Sequence, residues 1–273
     1  MAKNIVPTFQ MVAQTDTGMV RHFNEDAVFI APDLGLAILA DGMGGYSAGE
    51  VASALAIETV KRELLAGLPN LHELPEDEAL SALHEDIVFA AERANNAIFS
   101  AAQRDPECEG MGTTLVVTVL TPGHITVGHV GDSRLYLLRT GELTQVTRDH
   151  SWLQEQLAMG ILNEEQVKES RFKNIITRGL GIESVVDIEV HSYPMQPDDI
   201  YCLCSDGLSD MVKPDEMKAI LIRVENELEE VASQLISAAN ENGGRDNISV
   251  ILIRAVPPPE GFASKLGAWL RRS

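Results

Sequence analysis

Four aspartates stand where apolar runs end, each with glycine beside it or nearby: Leu39-Ala40-Asp41-Gly42, Val130-Gly131-Asp132-Ser133, Cys204-Ser205-Asp206-Gly207 and, in reverse order, Gly243-Gly244-Arg245-Asp246-Asn247. If these run ends meet, the carboxylates converge. Such a cluster cannot stay ionised in a low-dielectric site without cations, because like charges raise one another's pKa. Ligation by oxygen alone selects hard ions, Mg²⁺, Mn²⁺ or Ca²⁺, over zinc. Arg21 lies upstream with Glu25 and Asp26, the sort of cation that holds a phosphate near metals. Asp-Gly is also an ordinary turn dipeptide, and each instance alone would be a turn more often than a ligand. Yet Asp41-Gly42 and Asp206-Gly207 lead into loop and helix patterns rather than a returning strand, so neither is a hairpin turn. On residue physics alone, a multi-metal phosphoryl site and a set of turns both stand open.

The elements that must position these residues can be read from period. Phe9–Thr15 and Ala27–Ala31 read as strands on either side of the arginine segment, and Leu36–Ala40 as a buried strand ending at Asp41. Glycines 42, 44 and 45 then let the backbone turn close to whatever that carboxylate holds. Val51, Leu55, Val60 and Leu64 form a helical stripe over 47–65, and a Gly67-Leu68-Pro69 break separates it from a helix over about 76–103. The period then changes. Runs at 113–120, 124–130, 134–138 and 143–146, divided by turn residues, predict antiparallel hairpins. A short helix over 151–159 and a polar, flap-like stretch over 160–178 follow. Strands are expected at 185–191, 200–204 and 247–256, and helices at 214–224 and 227–240. Helix pairs between blocks of strands predict an α+β layered fold with an antiparallel core.

A chain of 273 residues can bury a sizeable core, and no linker-like stretch interrupts it before Pro257-Pro258-Pro259. Its net charge of -20 argues against nucleic-acid binding and for a cytoplasmic protein. Much of the acid falls on helical stretches and reads as solvated surface. Met1–Gln14 lacks the apolar core of a signal peptide, and no apolar run approaches a membrane span. Cys108, Cys202 and Cys204 have no framework spacing and read as reduced thiols, the latter two as core residues.

Taken in order, Thr15-Asp16-Thr17-Gly18-x-x-Arg21-x-x-Asn24-Glu25-Asp26, Asp41-Gly42-Met43-Gly44-Gly45-x-x-x-Gly49-Glu50, Gly112-Thr113-Thr114, Gly131-Asp132-Ser133-Arg134, Asp149-His150-Ser151, Ser205-Asp206-Gly207-Leu208 and Asp246-Asn247-Ile248-Ser249 resemble the motifs of bacterial metal-dependent serine/threonine protein phosphatases of type 2C. The resemblance implies a four-layer α-β-β-α sandwich with two central antiparallel sheets. It implies one catalytic domain over residues 9–256, with a flap at about 149–179, leaving 257–273 as a Pro-rich linker and short amphipathic tail. Two Mn²⁺ or Mg²⁺ ions are implied: Asp41 would bridge them, the Gly42 carbonyl would ligate one, and Asp206 and Asp246 would complete the other. Asp132, with Asp206, would hold a third ion. Arg21 would bind the substrate phosphate, while Glu25, Asp26 and Asn247 would order metal-bound water. The implied reaction is hydrolysis of phosphoserine and phosphothreonine by in-line attack of a hydroxide shared between the cations. The implied partners are phosphorylated proteins, the products of a bacterial serine/threonine kinase, and the enzyme is expected to act as a monomer.

Two positions depart from the family pattern. Met43 stands where eukaryotic relatives carry a histidine proposed as general acid, as it also does in bacterial relatives; Tyr46 stands where bacterial relatives often have histidine. The proton donor to the leaving oxygen is therefore unassigned, with a metal-bound water preferred. His22, His129 and His150 read as structural or flap residues, since spacing shows no carboxylate partner for them. Gly45-Tyr46-Ser47-Ala48-Gly49 matches G-x-S-x-G, but the apolar strand ends at Ala40 rather than running into Gly45, and the chain lacks alternating βα units. A serine hydrolase using Ser47 is thus the weaker alternative. A phosphatase-like regulatory or binding domain would be expected to have lost ligands, and all four aspartates are present. In the tail, Phe262, Leu266, Trp269 and Leu270 share a helical face beside Lys265, Arg271 and Arg272. Docking on the protein's own body or fraying is preferred to membrane or partner binding for so short a segment.

Overall fold

Strand β1 (Phe9–Asp16) opens the chain, and β2 (Asp26–Ala31) and β3 (Leu36–Met43) follow it. The computed structural model describes residues 9–45, 48–71, 74–163, 166, 175–223 and 227–255. Two long helices come next, α1 (Ala48–Leu71) and α2 (Glu76–Arg104), and then β4 (Gly112–Thr113), β5 (Leu115–Thr121), β6 (His124–Val130), β7 (Arg134–Arg139) and β8 (Glu142–Gln145). After α3 (Trp152–Ala158) come β9 (Glu189–Pro194), β10 (Ile200–Cys204), the one-turn α4 (Asp206–Ser209), α5 (Pro214–Leu221), α6 (Leu228–Glu241) and β11 (Ile248–Ala255).

The strands form two antiparallel sheets. One has the order β1-β11-β10-β7-β8 and the other β2-β3-β5-β6-β9, with β4 added beside β3. Three apolar layers hold them. The α1/α2 pair covers the β3 sheet through residues such as Ile57, Leu64, Ile87 and Ile98 against Leu36, Ile38 and Val117. α5 and α6 cover the other sheet through Met217, Leu221 and Leu235 against Cys202, Val250 and Leu252. Between the sheets, Ala37, Leu39 and Val116 meet Leu203, Ile251 and Ile253. Alternate residues of one strand thus serve different layers, as a period of two requires. The result is the expected α-β-β-α sandwich.

Local structure departs from the sequence reading in four places. β3 does not stop at Ala40 but runs through Asp41 and Gly42 to Met43, because Gly42 and Met43 pair with Thr113 and Gly112. A Cβ at Gly42 would stand 2.1 Å from the Gly49 carbonyl oxygen and 2.5 Å from that of Glu25; the glycine serves close approach here, not a turn. Helix α1 continues through the Gly67–Pro69 stretch to Leu71, since Leu64, Leu68 and Leu71 stay buried on one stripe and packing overrides propensity. The strand expected at 185–191 lies at Glu189–Pro194, set by pairing of His129 with Glu189 and His124 with Pro194. The turn of α4 was not expected. Tyr46, Ser47, most of the 164–174 part of the flap and the 257–273 tail lie outside the described residues. Among the described residues, no helix is long and apolar enough to cross a membrane.

Candidate metal centre

Asp26 and Asp41 face each other across the β2–β3 ladder, a cross-strand pair of like charges that is unfavourable without a proton or a cation. Asp206 opens α4 at the end of β10, and Asp246 precedes β11, so these two come from the opposite sheet. Asp132 lies in the Gly131–Ser133 connection between β6 and β7, where the chain crosses from one sheet to the other. Gly131 makes that crossing with φ at +105°, and a Cβ there would lie 2.6 Å from the Thr114 methyl.

The electrostatics show that the five carboxylates converge. Burial, followed by repulsion from Asp26, Asp206, Asp132 and Asp246, drives Asp41 well above the ordinary carboxylate range. Burial does the same for Asp206, with repulsion from Asp132, Asp246, Asp210 and Asp26. Burial and Asp149 push Asp132 up to about 6. Asp26 is pushed up to about 7 by burial, with partial relief from the Ser249 and Ser205 hydroxyls. Even so, neither oxygen of the Asp26 carboxylate, nor Oδ1 of Asp132, has a hydrogen-bond partner of normal geometry among the described residues. Buried acceptors left bare are costly. Here they belong to an all-oxygen cluster from two sheets, the donor set that hard divalent cations require, so the residues present fit such ions.

Neighbouring groups fix the cluster. Thr113 Oγ1 donates to the Asp41 carbonyl at 2.8 Å. Thr114 Oγ1 accepts the Asp41 N–H at 3.0 Å and pairs with Ser133 Oγ at 2.7 Å. This buried link from Asp41 to the residue beside Asp132 was missed in the sequence, although Gly112-Thr113-Thr114 stood out as a motif. Glu25 Oε1 accepts the Gly49 N–H at 3.2 Å, in the first turn of α1, where a carboxylate complements the helix N-terminus. The Asn247 side chain, expected to order water, accepts the Glu25 N–H at 2.8 Å and donates to the carbonyls of Thr17 and Phe23 at 3.0 and 2.9 Å. Arg21 Nη2 donates to Asp246 Oδ2 at 2.7 Å with its side chain half exposed. That pairing raises its pKa, so it carries a permanent charge at the rim.

A second group of potential ligands, His129, His150 and Glu189, brings three atoms within 4.8 Å of one another. The hydrogen bonds argue against a metal there. Gly131 N–H donates to His150 Nδ1 at 3.2 Å, so the proton of the neutral ring is on Nε2, which meets Glu189 Oε1 at 3.1 Å. A protonated nitrogen cannot ligate. Burial holds both imidazoles below their ordinary pKa, and the rings stack at 4.7 Å. His150 therefore does have a carboxylate partner, one that sequence spacing could not show. With its backbone N–H on the Gly131 carbonyl at 2.8 Å, it braces the Asp132 connection. Asp149 is fixed beside it by Arg134, whose Nε donates to Oδ1 at 2.9 Å and to Oδ2 at 3.1 Å and whose Nη2 donates to Oδ2 at 2.7 Å.

Comparison with known proteins bears on the family. The chain is 38% identical over 243 residues to the serine/threonine phosphatase stp of Listeria welshimeri, covering 88% of this chain and 93% of that one. A structure of the Streptococcus agalactiae serine/threonine phosphatase superposes with a TM-score of 0.81 at 31% identity, covering 91% of this chain and 100% of that one. The catalytic domain of the phosphatase PstP, solved in complex with two manganese ions, superposes with a TM-score of 0.77 at 34% identity, covering 91% of this chain and 99% of that one. The Protein phosphatase 2C family profile matches residues 20–242. An aspartate cluster drawn from both sheets of the sandwich, and likeness over nearly the whole of these relatives, lead to one assignment: the chain belongs to the protein phosphatase 2C family.

Proposed function

We propose that this chain is a metal-dependent protein serine/threonine phosphatase acting on phosphorylated proteins. The observation that carries the reading is the convergence of Asp26, Asp41, Asp132, Asp206 and Asp246, with buried carboxylate oxygens left without partners, beside the half-exposed Arg21. Asp41, Asp206 and Asp246 would hold two Mn²⁺ or Mg²⁺ ions together with the Gly42 carbonyl, and Asp132 would join Asp206 at a third. When bound, such cations lower the pKa of the attacking water and offset charge on the phosphoryl oxygens. Arg21 uses one N–H on Asp246 and keeps the rest of its fork for two phosphoryl oxygens, which orients phosphorus for in-line attack. Thr113 and Thr114 hold the Asp41 backbone in place, and preorganisation of this kind lowers the cost of reaching the transition state. Glu25 and Asp26 remain candidates to accept protons from ordered water.

The same reading makes the chain the counterpart of a serine/threonine kinase. Its acidity and its free thiols support a monomer of the cytoplasm. The test is hydrolysis of a phosphothreonine peptide and of p-nitrophenyl phosphate with Mn²⁺, with Mg²⁺ and with chelator. Turnover is expected only with metal, and Asp41→Asn is expected to abolish it; chelator-resistant turnover would overturn the proposal. Ester cleavage that depends on Ser47 would instead favour the serine-hydrolase alternative.

A further inference from the structure

The Thr17–Glu25 segment joins β1 to β2 and so passes from one sheet to the other, carrying Arg21. Its backbone is pinned along its length. Gly18 N–H donates to Asp16 Oδ1 at 2.8 Å, Met19 N–H donates to the Gly244 carbonyl at 2.7 Å, and the buried Asn247 amide holds Thr17, Phe23 and Glu25. The segment lies directly on the Gly244–Asp246 backbone: a Cβ at Gly18 would stand 2.2 Å from the Asp246 carbonyl oxygen. On this fixed frame three large apolar side chains face solvent, Met19 at 69% exposure, Val20 at 60% and Phe23 at 60%. Folding gives no reason for that. Single exposed apolar residues are ordinary, but a group of them on one braced segment marks a contact surface.

We infer that Met19, Val20 and Phe23 read the residues flanking the phosphorylated one, so that the preferred substrates are phosphopeptides apolar at those positions. The occupant follows from chain geometry. Neighbouring Cα atoms are about 3.8 Å apart, so a peptide whose phosphate reaches Arg21 brings its adjacent residues within reach of this segment. Glu25 ends the segment, and the whole chain carries -20, which disfavours acidic flanks. Because the backbone is pinned beforehand, little ordering is lost on binding. The inference rests on Arg21 taking the phosphate.

The experiment uses the Mn²⁺-loaded full chain and two phosphothreonine peptides that differ only in the flanking residues, apolar in one and acidic in the other, with p-nitrophenyl phosphate as a substrate without flanks. Wild type is expected to prefer the apolar peptide by about tenfold in kcat/KM, and the preference is expected in KM rather than kcat. Val20→Ser with Phe23→Ser should remove it by raising KM for the apolar peptide, the backbone pins being untouched. Equal kcat/KM for the two peptides in wild type, or a preference that survives both substitutions, overturns the inference. Absence of metal-dependent p-nitrophenyl phosphate turnover in wild type would instead overturn the phosphatase reading on which it stands.

Discussion

Asp26→Asn should make the metal-free protein more stable at neutral pH while impairing its site. Burial raises the Asp26 pKa from 3.8 to about 7. Between those values the folded state binds a proton that the unfolded chain has released, so stability falls as pH rises through the window and is lowest above it. At about 1.4 kcal/mol per pH unit, the loss amounts to about 4 kcal/mol. Asparagine carries no charge to desolvate, and it also relieves Asp41 on the facing strand; its amide, however, needs partners, which Ser205, Ser249 and Asp41 are placed to offer. A net gain of about 2–4 kcal/mol at pH 8 remains, or roughly 4–16 °C in Tm for a chain of this size. The assay is thermal denaturation of both proteins in chelator at pH 4, 6 and 8. The variant should lead at pH 8, and the lead should vanish toward pH 4. Saturating Mn²⁺ should reverse the order, because an ion at about a thousand times its Kd adds about 4 kcal/mol to the protein that binds it. Parallel pH dependence, or a variant less stable than wild type at pH 8 in chelator, would refute the reasoning.

Three other outcomes are expected. Thr114→Val keeps the shape of a fully buried side chain but strips the partners of Asp41 N–H and Ser133 Oγ; a loss of about 2–4 kcal/mol in urea denaturation should accompany weaker Mn²⁺ binding by calorimetry. Gly42→Ala drives a methyl into two carbonyl oxygens, so the start of α1 must move, and both Tm and turnover should fall sharply while the far helices keep their circular dichroism. Arg134→Met leaves Asp149 largely buried without its bidentate partner. About 3–5 kcal/mol should be lost, measurable by denaturant titration.

What the sequence disclosed was local. An apolar run that stops at Asp-Gly reports a strand end, so Asp41 and Asp206 could be found by eye, and the order of motifs carried the family resemblance. What it hid depended on pairing. Asp26 looks like an ordinary loop acid until β2 is placed in register with β3, which sets it opposite Asp41. Glu189 lies 39 residues from His150 and meets it only because β9 pairs with β6. The Gly67–Pro69 stretch reads as a break by propensity, yet buried Leu68 and Leu71 keep the helix going. Thr113 and Thr114 carry no chemical signature of their own, since a hydroxyl in a β-rich run looks the same whether it packs or braces a carboxylate.

The candidate centre takes Asp26 and Asp41 from one sheet, Asp206 and Asp246 from the ends of strands of the other, and Asp132 and Arg21 from two of the connections that pass between them. The separation of the sheets therefore sets the size of the centre. That separation is governed by the side chains packed between them, Leu39, Val116, Leu203 and Ile251 among others. The inter-sheet layer acts as a spacer gauge: trimming Leu203 or enlarging Val116 would change the distance between the carboxylates of the two sheets without altering any of them. The spacing of the carboxylate cluster is thus set from the hydrophobic interior.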